Sequence, residues 1–140
     1  SVRITAYGDP AAVNFEIWGY LLKSGAHHVG YTHQWRTCDE RFKTICMASV
    51  STAQEAQDAI AMGWRTFRAR PQASELLRYA SVGRVIEAVC PASKEGQHRT
   101  TCERCQLCQG TSRPARNIAI IAHGKPGNTA AFYRRSDLTT

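Results

Sequence analysis

The strongest chemical signal in the chain is a group of four cysteines in its C-terminal half. Eleven residues separate Cys90, which is followed by a proline, from Cys102, and the triplet Cys102, Cys105 and Cys108 has a spacing of three residues. This spacing lets a tight turn aim neighbouring sulfur atoms at one point. Structural zinc usually takes two separate Cys-x2-Cys pairs, whereas an iron–sulfur cubane is commonly held by Cys-x2-Cys-x2-Cys and a remote Cys-Pro. We therefore predict one metal site on these four cysteines, holding Zn²⁺ or an iron–sulfur cluster.

Other uses of the cysteines stay open. Six cysteines could form disulfides, although such frameworks suit secreted chains shorter than about 100 residues, and three cysteines at i, i+3 and i+6 pair poorly among themselves. His98 lies in the loop 91–101 and could replace one thiolate as a ligand. The same loop lacks apolar periodicity, so a metal would anchor it. We expect Cys46 to be a small buried core residue and Cys38 to be a loop thiol.

The positive charge of the chain is concentrated near the same cysteines. Of a net charge of +7, residues 90–140 contribute +5, from eight Lys and Arg against three Asp and Glu. A basic balance of this size fits contact with nucleic acid, and it fits a solubilising surface almost as well. The candidates for phosphate contact are Lys94, Arg99, Arg104, Arg113 and Arg116.

Alternating strands and helices must position these groups. The hydrophobic pattern predicts strands over 2–7, 29–35, 44–50, 64–70, 85–89 and 118–122, and helices over 11–23, between Ser51 and Gly63, and over a short stretch ending at Arg78–Tyr79. Asp9 is placed to cap the first helix, with Pro10 at its first position. Ser51 and Gln54 match a capping box for the second helix.

This alternation favours an α/β fold. We predict a single domain over residues 1–140, with a mostly parallel sheet of five or six strands, flanking helices and a partial β/α-barrel character. A metal-stapled loop over 90–108 and a flexible tail over 128–140 complete this domain.

Functional groups of a parallel sheet collect beyond the carboxyl ends of its strands. The residues at those predicted ends are Asp9, His33, Trp35, Arg36, Ser49, Ser51, Arg68, Arg70, Cys90 and His123. Helix capping alone accounts for Asp9 and Ser51, and exposure to solvent accounts for a charged residue such as Arg70. Either histidine could instead make a hydrogen bond in the core. The candidates for a catalytic rim are His33, Arg36, Arg68 and His123. Since Gly-x-Gly-x-x-Gly, Gly-Lys-Ser/Thr and His-Glu-x-x-His are all absent, no motif names a reaction.

Five stretches within residues 2–124 carry a resemblance to known proteins: Ala6-Tyr7-Gly8-Asp9-Pro10-Ala11-Ala12-Val13, Gly30-Tyr31-Thr32-His33-Gln34-Trp35-Arg36, Met47-Ala48-Ser49-Val50, Cys90-Pro91-Ala92-Ser93 and the cysteine triplet. Together they resemble a family of uncharacterised phage and mobile-element proteins. The resemblance implies no particular activity for this chain. The family's organisation is similar to part of the (β/α) barrel of radical-type iron–sulfur enzymes, whose Cys-x3-Cys-x2-Cys signature is missing here. Longer members carry a further cysteine-rich segment upstream, so we expect this chain to be a fragment or a shortened relative.

The leading functional prediction is a metal-stabilised module that binds nucleic acid. An iron–sulfur enzyme using the His and Arg rim is the first alternative. A factor that binds or inhibits a host protein, with Trp18, Trp35 or Trp64 as exposed anchors, is the second. No apolar run approaches the roughly 20 residues of a membrane span, so we expect no membrane contact and a location in the cytoplasm, that of the host cell if the protein is encoded by a phage.

Overall fold

A six-stranded sheet forms the centre of the molecule. The computed structural model describes residues 2–4, 8–23, 25, 27–70, 79–82, 85–93, 96–113 and 115–121. The strands are β1 Val2–Arg3, β2 His28–Val29, β3 Tyr31–Thr32, β4 Met47–Val50, β5 Thr66–Arg70, β6 Tyr79–Val82, β7 Val85–Val89 and β8 Asn117–Ile121. The helices are α1 Phe15–Leu21, α2 Ala53–Ala61 and α3 Cys102–Cys105.

The strand order of the sheet is β3-β4-β5-β8-β7-β6. All neighbouring strands are parallel except β6, which runs antiparallel to β7 at one edge. The α/β class and the mostly parallel six-stranded sheet are therefore confirmed. The last strand, β8, inserts between β5 and β7, which differs from the sequential strand order of a (β/α) barrel. Strands β1 and β2 form a separate parallel pair.

The first predicted helix is two short elements. A 3-10 turn covers Pro10–Ala12, and Asp9 caps it by accepting a hydrogen bond from the amide of Ala11. Val13 is extended, so the chain leaves the helical conformation before α1 begins. The indole of Trp18 in α1 donates to the carbonyl of Pro10 at 2.9 Å, which ties the two elements together. The predicted cap is confirmed, and the predicted continuous helix over 11–23 is wrong.

The cap of α2 lies one residue later than predicted. The side chain of Thr52, not that of Ser51, accepts from the amide of Glu55 at 3.1 Å. The carboxylate of Glu55 in turn accepts from the amide of Ser51. The threonine takes this place because its backbone is extended (φ −122°, ψ 160°), as an N-cap requires, and helical geometry starts at the next residue.

The sequence predicts a short helix that ends at Arg78–Tyr79. Tyr79 opens strand β6 and does not end a helix, because Tyr79–Val82 pairs with Val85–Val89 as a hairpin. The rest of that predicted helix, and the predicted tail over 128–140, lie outside the described residues. Among the helices that are described, none is long and apolar enough to cross a bilayer.

The sheet has two differently covered faces. On the helix face, Ala48 and Val50 of β4 pack with Ala56 and Ala59 of α2. On the opposite face, which we call the loop face, Tyr31, Phe67 and Ile118 pack with Cys108 of the cysteine-bearing segment. The alternation of side chains along each strand assigns them to these faces.

Candidate functional sites on the loop face

Three of the four cysteines of the predicted metal site lie around Tyr31: Cys90 and Cys108 pack in one hydrophobic cluster with it, and Cys90 and Cys102 line a pocket with it. Burial and the nearby Cys90 and Cys105 raise the pKa of the Cys108 thiol to about 12, while the Tyr31 hydroxyl, hydrogen-bonded to its sulfur, acts in the opposite direction. Burial, together with Cys102 and Cys105, also raises the pKa of Cys90. Interaction between thiols of this kind requires proximity, so the fold gathers cysteines that are up to eighteen residues apart in the chain.

These thiols lie near one another, but they are not arranged as the ligands of a metal ion. All six cysteines are free thiols. Within the described ranges, no three His, Cys, Asp or Glu side chains are grouped so that they could hold a metal ion. His98, the candidate substitute for one thiolate, is exposed. Its Nδ1 donates to the carbonyl of Ala92 at 2.9 Å.

Local backbone geometry brings the cysteine triplet to the sheet. Cys102 and Cys105 begin and end the single turn of α3, and Gln106 then takes a left-handed conformation (φ 54°). This reverses the chain so that Cys108 is buried on the loop face. The carbonyl of Cys108 accepts from the amide of Gly30 at 3.1 Å, which fixes the segment beside β2 and β3.

Arg65 holds the far end of this segment and was missed by sequence reasoning. Its buried guanidinium donates five hydrogen bonds of 2.6 to 3.0 Å to backbone carbonyls, one of them inside the cysteine triplet and four after it. The acceptors are Leu107, Gly110, Arg113, Ala115 and Arg116. A charged residue type alone predicts a solvated cation at this position.

Among the described residues, two pockets on the loop face share an aromatic pair in their linings. The rings of Tyr31 and Phe67 lie 4.5 Å apart and line both pockets. The cysteine pocket, of about 460 Å³, is further lined by Arg3, Ala92, Ser93, Ile120 and the metal-site candidates Cys90 and Cys102. The second pocket, of about 430 Å³, is lined by Gly8, Asp9, His33 and Ser49 in addition to the two rings.

The residues predicted to contact phosphate lie between Lys94 and Arg116, in the part of the chain that also carries the cysteine triplet. Arg99, Arg104, Arg113 and Arg116 are all exposed, and Lys94 lies outside the described residues. The Nε of Arg99 donates to the carbonyl of Gly96 at 3.1 Å, so this side chain is tied to its own loop. Four exposed guanidinium groups are thus carried by an eighteen-residue stretch of chain.

The predicted catalytic rim is not one cluster. Arg36 stacks on Trp35 and pairs with Asp58 of α2 at 3.3 Å, while His33 turns to the loop face. Arg68 is buried on the helix face, 3.7 Å from the carboxylate of Glu87. His123 lies outside the described residues. The structure therefore separates the three candidates that it describes.

Two of the three tryptophans offered as exposed anchors are buried. Trp35 and Trp64 are 4% and 3% exposed and belong to the core that packs under α2. Their predicted exposure is therefore wrong, because these large apolar side chains fill the space between the sheet and α2. Trp18 is half-buried against the same core, and its contact with a host protein stays a prediction.

The structure agrees with the two remaining cysteine predictions. Cys46 is fully buried in the core, and burial raises its pKa. Cys38 lies in a turn, half-buried against the same core.

Comparison with protein-family models, with curated proteins and with solved structures finds no match for the chain. The resemblance to phage and mobile-element proteins thus stays a prediction.

Proposed function

We propose that this is a phage-type accessory protein that binds one metal through Cys90, Cys102, Cys105 and Cys108 and uses the surrounding arginines to bind nucleic acid. The observation that carries the proposal is the packing of Cys90, Cys102 and Cys108 around Tyr31, with Cys105 in the same helical turn as Cys102, beside a segment that bears four exposed arginines. The metal is Zn²⁺ or an iron–sulfur cluster, and its role is chiefly structural.

Support for metal binding comes from the chemistry of the donor set. Free thiols near one another become good ligands once they lose their protons, and a bound cation drives that loss. The sulfur atoms must still move together, and such movement is typical of sites whose formation is coupled to the ordering of a loop. With four thiolates, zinc or a typical cubane leaves a site charge of about −2. The buried cation of Arg65, whose charge favours the Cys108 thiolate, offsets part of it.

Support for nucleic-acid binding comes from charge and exposure. Phosphate contacts need guanidinium groups at the surface, and Arg99, Arg104 and Arg113 are exposed there. The metal would fix the turns that carry these residues, so loss of the metal should also weaken binding.

The first prediction concerns the metal itself. Protein purified without oxygen should contain one equivalent of zinc, or iron with sulfide and an absorption band near roughly 400 nm. Cys105→Ser should lose most of this metal, whereas Cys38→Ser, which changes a cysteine outside the group, should keep it. Metal analysis and an absorption spectrum decide the point. A metal-free wild type, or equal metal in the two variants, contradicts the proposal.

The second prediction concerns phosphate contact. Binding to a fluorescent single-stranded oligonucleotide should weaken steeply as salt increases, because each contact releases a counterion. Arg104→Ala should weaken binding and lower the slope of log K against log salt by about 1. The exposed Lys23, which lies on the chain just after α1, supplies the matched variant Lys23→Ala, which should leave the slope unchanged. Binding that is absent or insensitive to salt contradicts the proposal.

A further inference from the structure

The second pocket brings together an acid, a base and a hydroxyl that the chain carries on three separate segments. Asp9 precedes the 3-10 turn, His33 follows β3, and Ser49 belongs to β4. The parallel pairing of β3 with β4 places His33 and Ser49 side by side near the carboxyl ends of their strands. All three side chains line the 430 Å³ pocket, away from the cysteines.

The order of contacts is that of a nucleophile, a base and a group that orients the base. The Oγ atom of Ser49 lies 3.2 Å from Nε2 of His33. The other ring nitrogen, Nδ1, lies 3.8 Å from Oδ2 of Asp9. The first distance is within hydrogen-bond reach, and the second is longer than a hydrogen bond, as is common for catalytic contacts before substrate binds.

Asp9 is held firmly in this position. Its Oδ1 accepts from the amide of Ala11 at 2.9 Å and from the hydroxyl of Thr32 at 2.7 Å. Its Oδ2 accepts from the amide of His33 at 2.8 Å. The carboxylate therefore caps a turn and faces the imidazole at the same time, and one oxygen is fixed on the backbone of the histidine that it would orient.

The walls of the pocket indicate the class of ligand. Tyr31 and Phe67 give it one aromatic side, and its volume lies within the range typical of small-molecule sites. We propose that this pocket is an esterase site for small carboxylic esters with an aromatic or other apolar part, in which Ser49 is the nucleophile, His33 the general base and Asp9 a positioning residue.

The reaction balances with water as the only co-reactant. The Oγ of Ser49 attacks the ester carbonyl carbon as its proton passes to Nε2 of His33. The carbon–oxygen bond to the alcohol then breaks, the alcohol leaves with the proton from His33, and an acyl-serine remains. Water, deprotonated by the same imidazole, attacks the acyl-serine, releases the carboxylic acid and restores the serine hydroxyl.

Covalent labelling tests the nucleophile directly. Wild-type protein is treated with a fluorophosphonate, and the modified residue is located by mass spectrometry. We expect the label on Ser49, none at that position in Ser49→Ala, and a labelling rate at least about 100-fold lower in His33→Ala. Ser51→Ala changes the next serine along the chain and should keep the wild-type rate. Absence of label on Ser49, or an unchanged rate in His33→Ala, overturns the proposal.

Turnover of an aryl ester, 4-nitrophenyl acetate, tests the positioning role. Asp9→Asn keeps a side-chain oxygen for the cap but removes the charge that faces the imidazole, so kcat should fall more than KM rises. Circular dichroism of each variant checks that the fold is retained. Labelling of Ser49 should also persist in Cys105→Ser, because the pocket shares no cysteine with the metal-site candidates. An equal effect on kcat and KM in Asp9→Asn overturns the role of Asp9.

Discussion

At the scale of single residues, Arg65 is the clearest case of a side chain whose role depends on its surroundings. Its five hydrogen bonds join the start of β5 to Leu107, inside the cysteine triplet, and to the chain between that triplet and β8. Burial lowers the pKa of Arg65, so its charge is maintained at the cost of desolvation. Hydrogen bonds to the five carbonyls offset this desolvation, because the guanidinium offers donors in a fixed planar fork that a lysine lacks.

We therefore expect Arg65→Lys to lower the free energy of unfolding by about 3 kcal/mol, because several buried carbonyls lose their donor and one ammonium cannot reach them all. Hydrogen exchange should also become faster around Leu107 and Gly110. Urea denaturation measures the first effect. Arg113→Lys, at an exposed position in the same segment, should change stability by less than about 0.5 kcal/mol. Equal stability of the two variants would refute this account of Arg65.

At the scale of elements, α2 shows how local geometry selects between neighbouring residues of similar type. Ser51 and Thr52 both have a hydroxyl that could cap the helix. The sequence pattern favoured Ser51 because Gln54 follows three residues later, but the threonine hydroxyl makes the bond, and Glu55 completes the exchange with the amide of Ser51. The threonine cap therefore sets where α2 begins, at Ala53.

Thr52→Ala should therefore destabilise the protein by about 1 kcal/mol, since the amide of Glu55 loses its acceptor at the helix start. Ser51→Ala should cost less than about 0.5 kcal/mol. Thermal or urea unfolding of the two variants separates these outcomes. If Ser51→Ala proves the more damaging, the cap lies where the sequence pattern put it.

At the scale of the whole molecule, a buried ion pair crosses the middle of the sheet. Arg68 on β5 and Glu87 on β7 meet over β8, where Ala119 is in register with Arg68 and Asn117 with Glu87. Both Glu87 carboxylate oxygens are buried without a hydrogen-bond donor among the described residues. Burial raises the pKa of Glu87 above its ordinary 4.5, against the opposing effect of Arg68 and Arg70.

The sign of the pH dependence follows from that raised pKa. Glu87 contributes stability below its unfolded pKa of 4.5, and this contribution is lost as pH rises through its higher folded pKa. Glu87→Gln stays neutral, so its free energy of unfolding relative to that of the wild type should increase between pH 4 and pH 8 (roughly the range that spans the titration). Urea denaturation of both proteins across that range measures the difference. A difference that is constant or falls would mean that the arginines outweigh burial.

The sequence by itself determined the α/β class, the buried strands, the alternation along Thr66–Arg70 and the cap at Asp9. These features depend on hydrophobic periodicity and short-range hydrogen bonds, which a linear pattern records. Only the tertiary structure decided that β8 lies between β5 and β7, that Arg65 binds the cysteine-bearing segment, and that Ser49 meets His33. Each of these joins residues distant in the chain, and it depends on strand pairing and burial, which no local pattern encodes.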